Sequence, residues 1–255
     1  MAKQSARSKA KDSLISSRPG GDGHQVHNQI LLALPRNERE RLLPKLEFVR
    51  LQSRLILHDV GDTLQSAYFC NTGLISILSV FPDGKSVEVG LVGKEGFVGL
   101  PLVAGFRSAA TRAVAQIEGT AFRLSADALT GILRECVTLE RMLQQFSQIM
   151  AMQATQIAAC NRLHEVEERL ARWLMMTADR VGTNCLALTQ ELLAQMLGTR
   201  RASVTLAAGI LQKAGLIAYT RGSVDIIDRQ KLEDVACECY GLMQSQLEKW
   251  RADSE

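Results

Sequence analysis

Length, composition and charge describe a globular chain with a mild excess of positive charge. It has 255 residues, 46% of them hydrophobic and 22% charged, with a formal net charge of +3 and an isoelectric point near 8.6. This length fits two modest domains better than one, and the net charge alone does not indicate nucleic-acid binding, so any basic signal must be local. Six cysteines without disulfide-scaffold spacing and the lack of a signal-peptide pattern favour a cytoplasmic protein.

The N-terminal half divides into a tail and a strand-rich domain. Residues 1–27 are rich in Lys, Arg, Ser and Gly without apolar periodicity, which predicts a disordered basic tail. In residues 28–134, short runs of Val, Ile, Leu and Phe are separated by turn signals such as "VGD" at 60–62, "NTG" at 71–73 and "PDG" at 82–84. Such spacing, with turns every 8–12 residues or so, predicts a compact antiparallel barrel or roll.

A long helix is predicted at residues 135–163, because apolar residues recur there at spacings of three and four. It is either buried in its own domain or pairs with a second copy of itself. We favour the dimer, since the sequence shows no short helix after it that could fold back onto it. Residues 142–161 carry no charge, but their several Gln residues and an Asn exclude a membrane span. The predicted dimer interface consists of Leu139, Met142, Leu143, Phe146, Ile149, Met150, Gln153, Ile157 and Cys160.

Residues 164–228 are predicted to form a winged helix-turn-helix, and residues 229–255 a helical extension. Thr189 is a suitable N-cap for one short helix, Gly198 ends it, and a second helix starts near Arg200 and Arg201. An alternating segment with its turn at Arg221–Gly222 follows and predicts a small hairpin. Helix, glycine turn, helix and hairpin in this order are typical of DNA-binding proteins.

The residues at the start of the second helix suit a polyanion. Small side chains such as Ala202 and Ser203 allow a close approach, and long polar ones can reach base edges in the major groove. The free N–H groups of the helix start also favour phosphate. The pair Arg200–Arg201 is therefore interpreted as part of a DNA interface.

This region resembles the Crp/Fnr superfamily of bacterial transcription regulators. The resemblance covers about residues 29–228 and is strongest in "LTQELLAQMLGTRRASVTLAAGILQKAGLI" at 188–217; "VGDTLQSAYFCNTGLISIL" is similar to the β-roll signature of the family. It implies an α+β protein with an N-terminal antiparallel, jelly-roll-like β-roll sensor, a long dimerisation helix and a C-terminal winged helix-turn-helix. It also implies a homodimer on a palindromic double-stranded DNA operator, with RNA polymerase as a further partner.

The resemblance assigns roles to single residues. Arg201 corresponds to the arginine that reads a guanine, whereas Ala202 and Leu206 stand where the cyclic-AMP receptor protein has a Glu and a second Arg. The half-site is therefore expected to differ from that protein's. Phosphate contacts are implied for Thr189, Gln190, Arg200, Ser203 and Arg221, and Thr199, Ala202 and Thr205 complete the predicted DNA interface.

The sensor could bind a cyclic nucleotide, another small ligand or nothing. Family members that bind cyclic nucleotides have Gly-Glu-x-Gly-Leu and, six residues later, Arg-Ser-Ala. Here Gly99, Arg107 and Ser108 are in register, but Phe97 replaces the Glu that accepts the ribose hydroxyl. Cyclic AMP and cyclic GMP are therefore not expected, and these four residues define a candidate effector pocket.

Metal and enzyme chemistry are not predicted. No cysteine occurs before Cys70, which excludes the N-terminal iron–sulfur cluster of oxygen-sensing members. Cys237 and Cys239 could ligate a metal with a third partner, but they are interpreted as packing residues, and the four histidines share no metal-ligand spacing. "GKEGFVG" at 93–99 lacks the helix start of a phosphate loop. A stand-alone ligand-binding module is the alternative function, and it would lack the steep salt dependence of DNA binding.

Overall fold

The computed structural model of the chain describes residues 18–19 and 24–253. Most of the predicted tail lies outside these residues, but its last part is ordered, which corrects the boundary at residue 27. Arg18–Pro19 (β1) pairs with Gln25–Val26 (β2), and the Val26 side chain is buried. Asn71 Oδ1 accepts hydrogen bonds from the backbone N–H groups of His27 and Asn28, which fixes this segment to the domain that follows.

The N-terminal domain is an antiparallel β-roll. Its strands pair in the order β3-β8-β5-β6, with β4 beside β8 and β7 beside β5. The register of the two long strands, β5 and β8, shifts between Cys70 and Ile75. Gly119 permits the close approach there, because a Cβ at this position would lie only 2.1 Å from Thr72 O. The strands are β3 (Glu47–Leu51), β4 (Ile56–His58), β5 (Ser66–Val80), β6 (Ser86–Val92), β7 (Phe97–Val98) and β8 (Arg112–Ser125).

Short helices close the ends of the roll. Ser125 is the N-cap residue of the helix after β8, and its side chain accepts a hydrogen bond from Ala128 N. The helices are α1 (Gln29–Ala33), α2 (Arg36–Leu42), α3 (Leu100–Val103) and α4 (Ala126–Leu133), with a 3-10 turn at Leu43–Lys45.

The long helix α5 (Val137–Leu163) packs along the roll. Its first turn is capped by Glu38, whose carboxylate oxygens accept hydrogen bonds from Thr138 N and Leu139 N, both at 2.9 Å. Its apolar side faces the core of the same chain, not solvent. Of the predicted dimer-interface residues, Ile149 and Met150 are partly buried against this core, and the others are fully buried: Leu139, Met142, Leu143, Phe146, Gln153, Ile157 and Cys160.

The assignment of this apolar face to a dimer interface is therefore corrected. Its side chains already contact the roll and a C-terminal helix, α10 (Cys239–Asp253), so they offer almost no surface to a second chain. The expectation that no helix folds back onto α5 was wrong. The Trp250 ring lies 5.5 Å from the Phe146 ring, and Leu247 joins the same core.

The C-terminal domain is the predicted winged helix-turn-helix. Its first helix is buried along most of its length, because it lies between the roll and the remaining helices. Strands β9–β11 form one antiparallel sheet in the order β10-β11-β9. The elements are α6 (Val166–Val181), β9 (Cys185–Leu186), α7 (Gln190–Met196), α8 (Arg201–Lys213), β10 (Ile217–Thr220), β11 (Ser223–Ile226) and α9 (Arg229–Val235).

These elements confirm the predicted α+β class with an N-terminal roll, a long helix and a C-terminal winged helix. Among the described helices, none combines the length and apolar character needed to cross a membrane.

Candidate nucleic-acid interface and sensor domain

Helices α7 and α8 form a helix-turn-helix whose geometry follows from its caps. Thr189 accepts a hydrogen bond from Leu192 N at 3.2 Å and so caps α7. Gly198 has φ of +57°, a left-handed conformation that glycine adopts without strain, and it turns the chain toward α8. The two helices also touch through side chains, since Thr205 Oγ1 lies 2.9 Å from Gln190 Oε1.

Helix α8 has one buried face and one open face. Val204, Ala207, Ala208 and Leu211 are buried against the rest of the domain. On the other side Arg201, Ala202 and Thr205 are exposed, followed by Leu206 and Ile210, whose exposed fractions are 71% and 54%. The open face is therefore a continuous surface that starts with arginine and continues with small and apolar side chains.

The hairpin places a third arginine at the edge of the domain. Gly222, with φ of +89°, forms the turn between β10 and β11, and Arg221 beside it is exposed. Tyr219 holds the hairpin, because its backbone N–H donates to Gln212 Oε1 and its hydroxyl donates to Leu188 O. Within residues 24–253, Arg200, Arg201 and Arg221 form no ion pair with a carboxylate.

The predicted DNA residues thus lie on three neighbouring parts of one domain. Thr189 and Gln190 begin α7, residues 199–203 and Thr205 form the turn and the first part of α8, and Arg221 is at the hairpin tip. Most of these side chains are exposed; Gln190, Thr199 and Ser203 are half-buried.

The four residues of the candidate effector pocket do not converge on a cavity. Phe97 is only 1% exposed and packs edge-to-face on Phe69 with 4.8 Å between ring centroids. The Arg107 guanidinium donates to Asp127 at 2.6 Å on the surface. Ser108 pairs with Thr63 as an isolated bridge, and Gly99 has φ of +119° at the start of α3. The residues present therefore do not fit a cyclic phosphate held as in the cyclic-nucleotide members.

An open depression with a volume of about 410 Å³ lies on the roll beside Ser108, whose bridge partner Thr63 is one of its lining residues. It is lined by residues 57–58, 62–66 and 68, which include His58 and Asp62. Burial lowers the pKa of His58, while Asp62 and Asp59 act in the opposite direction. None of the four predicted pocket residues lines this depression.

A buried polar contact joins the roll to α6 and was not predicted. Glu88 on β6 accepts hydrogen bonds from Trp173 Nε1 at 2.7 Å and from Ser76 Oγ at 2.6 Å. Burial raises the pKa of Glu88 to about 7, although both hydrogen bonds and the charges of Arg172 and Arg180 oppose that shift. The sequence signal that could have indicated a buried polar contact was the group of arginines among the apolar residues of α6.

A second unpredicted contact lies nearby, and it is a buried ion pair. Arg180 Nε on α6 donates to Glu95 Oε1 at 2.9 Å, and the two side chains are 6% and 2% exposed. Glu95 also accepts a hydrogen bond from Gly93 N. The roll and the winged helix are therefore joined by buried polar groups as well as by apolar packing.

The structure also brings together four side chains that the sequence did not connect with one another. Cys160 and His164 at the end of α5 meet Cys237, which lies between α9 and α10, and Cys239, the first residue of α10. Their ligand atoms all lie within 4.8 Å of one another, and all except His164 are buried. Cys237 and Cys239 are buried, as the packing interpretation expects, and the fold also gives them His164 and Cys160 as neighbours.

Fold and interface together define the class of protein: a winged-helix DNA-binding protein with an N-terminal roll of the cyclic-nucleotide-binding type. The family model for the Crp-like helix-turn-helix domain matches residues 168–235, and that for the cyclic nucleotide-binding domain matches residues 48–136. The two models together cover more than half of the chain. This chain therefore belongs to the Crp/Fnr superfamily and is a DNA-binding transcription regulator.

Solved structures of this family share the fold at low sequence identity. FixK2 from Bradyrhizobium japonicum is 16% identical, with a TM-score of 0.65. The superposed region covers 75% of this chain and 98% of the FixK2 chain. A regulator of the Crp/Fnr family from Eubacterium rectale is 17% identical, with a TM-score of 0.62 and coverages of 79% and 94%. The c-di-GMP-responsive regulator CLP from Xanthomonas campestris is 20% identical, with a TM-score of 0.61 and coverages of 75% and 99%. Among curated proteins, no sequence matches significantly.

Proposed function

We propose that this regulator binds a palindromic duplex operator as a homodimer, with α8 of each chain in the major groove. The observation that carries the proposal is the open face of α8, which begins with Arg201 while its opposite face is buried. Such a helix can enter the groove without uncovering its core. The cytoplasm, where DNA and RNA polymerase are available, is the compartment this function requires, and RNA polymerase is the proposed downstream partner.

Arg201 and Arg200 have different proposed roles. Arg201 is the first residue of α8, and its guanidinium can donate two hydrogen bonds to a guanine edge. Arg200 precedes the helix in an extended conformation, so it lies beside the backbone of the duplex and contacts phosphate. Thr189, Gln190, Thr199, Ser203 and Arg221 are proposed as further backbone contacts, with Ala202 and Thr205 facing the groove.

The apolar part of the open face favours thymine. Leu206 and Ile210 are large, exposed and one helical turn apart, which is costly for a surface without a partner. In the major groove the thymine methyl group is the apolar contact that distinguishes bases. We therefore expect half-sites with a guanine opposite Arg201 and thymines farther along α8.

The dimer is proposed to form through the face of α5 that remains exposed. Residues with spacings of four and three run along this face, and they are small or polar, so two helices can approach closely. Pairing of the two α5 helices would relate the chains by a two-fold axis. The two α8 helices would then read half-sites about 34 Å apart. The exposed residues are Gln144, Gln148, Ala151, Thr155, Ala158 and Arg162.

Operator binding is proposed to be independent of cyclic AMP and cyclic GMP. Phe97 belongs to the apolar core and Arg107 is paired with Asp127, so neither is free for a ribose or a phosphate. The relative from Xanthomonas campestris is described as c-di-GMP responsive, and this dinucleotide is therefore included as an added ligand in the experiment below.

The testing experiment is selection of bound duplexes from a random DNA pool, without nucleotide and then with each candidate effector. An enriched inverted repeat without nucleotide is expected.

Arg201→Ala should lose preference at one base pair of each half-site, equivalent to about 1–3 kcal/mol. Arg200→Ala should weaken binding to all sequences alike and reduce the salt dependence. Enrichment only with an effector would refute the nucleotide-independent reading, and no enrichment in any condition would refute operator binding.

A further inference from the structure

We propose that Cys160, His164, Cys237 and Cys239 form a closed tetrahedral site for a zinc-class divalent metal ion. Three thiols and one imidazole are a ligand set that structural zinc sites use, and four protein ligands leave no open position for substrate. Soft sulfur ligands favour zinc over magnesium or calcium, which prefer oxygen. The site is separate from the DNA interface and from the roll.

Two of the distances between ligand atoms match tetrahedral coordination, and all of them are within 4.8 Å. Two thiolates bound at about 2.3 Å with a tetrahedral angle lie about 3.8 Å apart, and a thiolate and an imidazole nitrogen about 3.5 Å apart. Cys160 Sγ and Cys237 Sγ are separated by 3.5 Å, and Cys239 Sγ and His164 Nδ1 by 3.6 Å. All described cysteines are free thiols, so no disulfide removes these sulfur atoms from the ligand set.

Neighbouring side chains orient the ligands. His164 Nε2 lies 3.2 Å from Glu238 Oε1, so the protonated Nε2 can donate to this carboxylate while Nδ1 faces the thiols. A histidine held by a carboxylate in this way is typical of zinc sites. Gln156 Nε2 donates to Cys239 Sγ at 3.1 Å, a contact that stabilises a thiolate. Glu238 lies between the two cysteines in the chain, so one short segment supplies two ligands and the orienting carboxylate.

The charge balance of the surroundings suits an anionic complex. A divalent ion with three thiolates carries a net charge of −1, which a nearby cation would stabilise. Arg172 on α6 is 2% exposed and acts electrostatically on Cys160 and Cys237. Its hydrogen bond goes to Met176 Sδ, and within the described residues no carboxylate forms a salt bridge with it.

The position of the site defines what the metal would hold together. Cys160 lies in the last turn of α5, and His164 is the residue that ends α5 just before α6 begins. Cys239 is the first residue of α10, which returns along α5, and Cys237 lies two residues before it. The metal would therefore fix the C-terminal helix to the junction between the long helix and the DNA-binding domain.

The test starts with the full-length chain, without a histidine tag and purified under reducing, anaerobic conditions. We expect about one equivalent of zinc per chain by elemental analysis. Cobalt(II) should replace it and give thiolate charge-transfer bands and the ligand-field bands of a tetrahedral ion. Cys237→Ser and Cys239→Ser should reduce the metal content to background. The buried Cys136→Ser and the exposed Cys185→Ser, which are outside the cluster, are matched controls and should retain it.

Two further measurements separate a ligand role from a packing role. Glu238→Gln removes no ligand, so it should leave the zinc stoichiometry intact but weaken zinc affinity about 10- to 100-fold in a chelator competition. Removing zinc from the native chain should increase hydrogen exchange in α10 and at residues 160–166, and adding zinc back should reverse the change. Background metal in the native chain, equal metal in the Cys237→Ser and control variants, or a metal-free chain with a Cys160–Cys237 disulfide would each overturn the proposal.

Discussion

Glu88 is a single ionisable side chain enclosed where the roll meets helix α6. Its folded pKa of about 7 lies above the ordinary value of 4.5, and burial is the main cause. Between these two values the folded chain keeps a proton that the unfolded chain releases, so the free energy of unfolding should fall as pH rises from about 4.5 to about 7. Glu88→Gln should flatten this dependence, because the amide keeps the shape but does not titrate. Denaturant unfolding of both chains across this pH range measures the difference.

The exposed Glu233 supplies the matched control for this prediction. Glu233→Gln removes a carboxylate without a buried partner, so it should keep the native pH dependence. If Glu88→Gln and the native chain gave parallel curves, Glu88 would not be the group that releases its proton in this range.

The residues of the proposed DNA interface could be placed in the fold from the sequence because their signal is local. Arg200 and Arg201 come after a glycine turn and at the beginning of a segment with helical periodicity. This short pattern is enough to predict that they lie at the start of α8. The contacts of Glu88 with Trp173 and of Glu95 with Arg180 join residues 85 positions apart. No pattern of neighbouring residues in the sequence indicates contacts over such a distance, so these pairs could be identified only from the structure.

At the scale of elements, the exposed stripe of α5 should decide the oligomeric state. Ala158 is exposed within one chain, so Ala158→Glu should fold normally but place two like charges across the proposed helix pair. We expect monomers by light scattering, together with loss of affinity for the selected inverted repeat. Ala252→Glu, an exposed alanine of α10, is the control and should remain a dimer. A dimeric Ala158→Glu chain would show that α5 pairs through another surface.

The sequence predicted the length of α5 correctly but not the use of its faces. The spacing of Leu139, Met142, Leu143 and Phe146 indicates that one face is buried, and it does not identify what covers that face. Here the cover is the roll and α10 of the same chain. Helix α10 was expected only as an extension, because its docking depends on contacts such as Trp250 with Phe146, more than a hundred residues away in the chain.

At the scale of the whole molecule, part of the roll and the DNA-binding domain share one apolar cluster. Leu74, Leu78 and Leu91 of the roll belong to the same apolar cluster as Trp173 and Leu174 of α6. Because each domain completes the burial of the other, they should unfold together. Scanning calorimetry should therefore show one transition with equal calorimetric and van 't Hoff enthalpies, and two separate transitions would contradict a shared core.

A single substitution in the ion pair between Arg180 and Glu95 tests whether the two domains unfold together. Glu95→Gln leaves the Arg180 charge buried without its partner, and such a loss costs about 3 kcal/mol or more. Because the pair joins the two domains, the single transition should move to lower temperature as a whole and not split. Replacing both residues by Met should recover much of the loss, since no charge then remains uncompensated. Glu40→Gln breaks the exposed pair with Arg36 and is the control, which should leave the transition in place. If Glu95→Gln lowered the transition no more than Glu40→Gln does, the buried pair would not contribute to holding the two domains together.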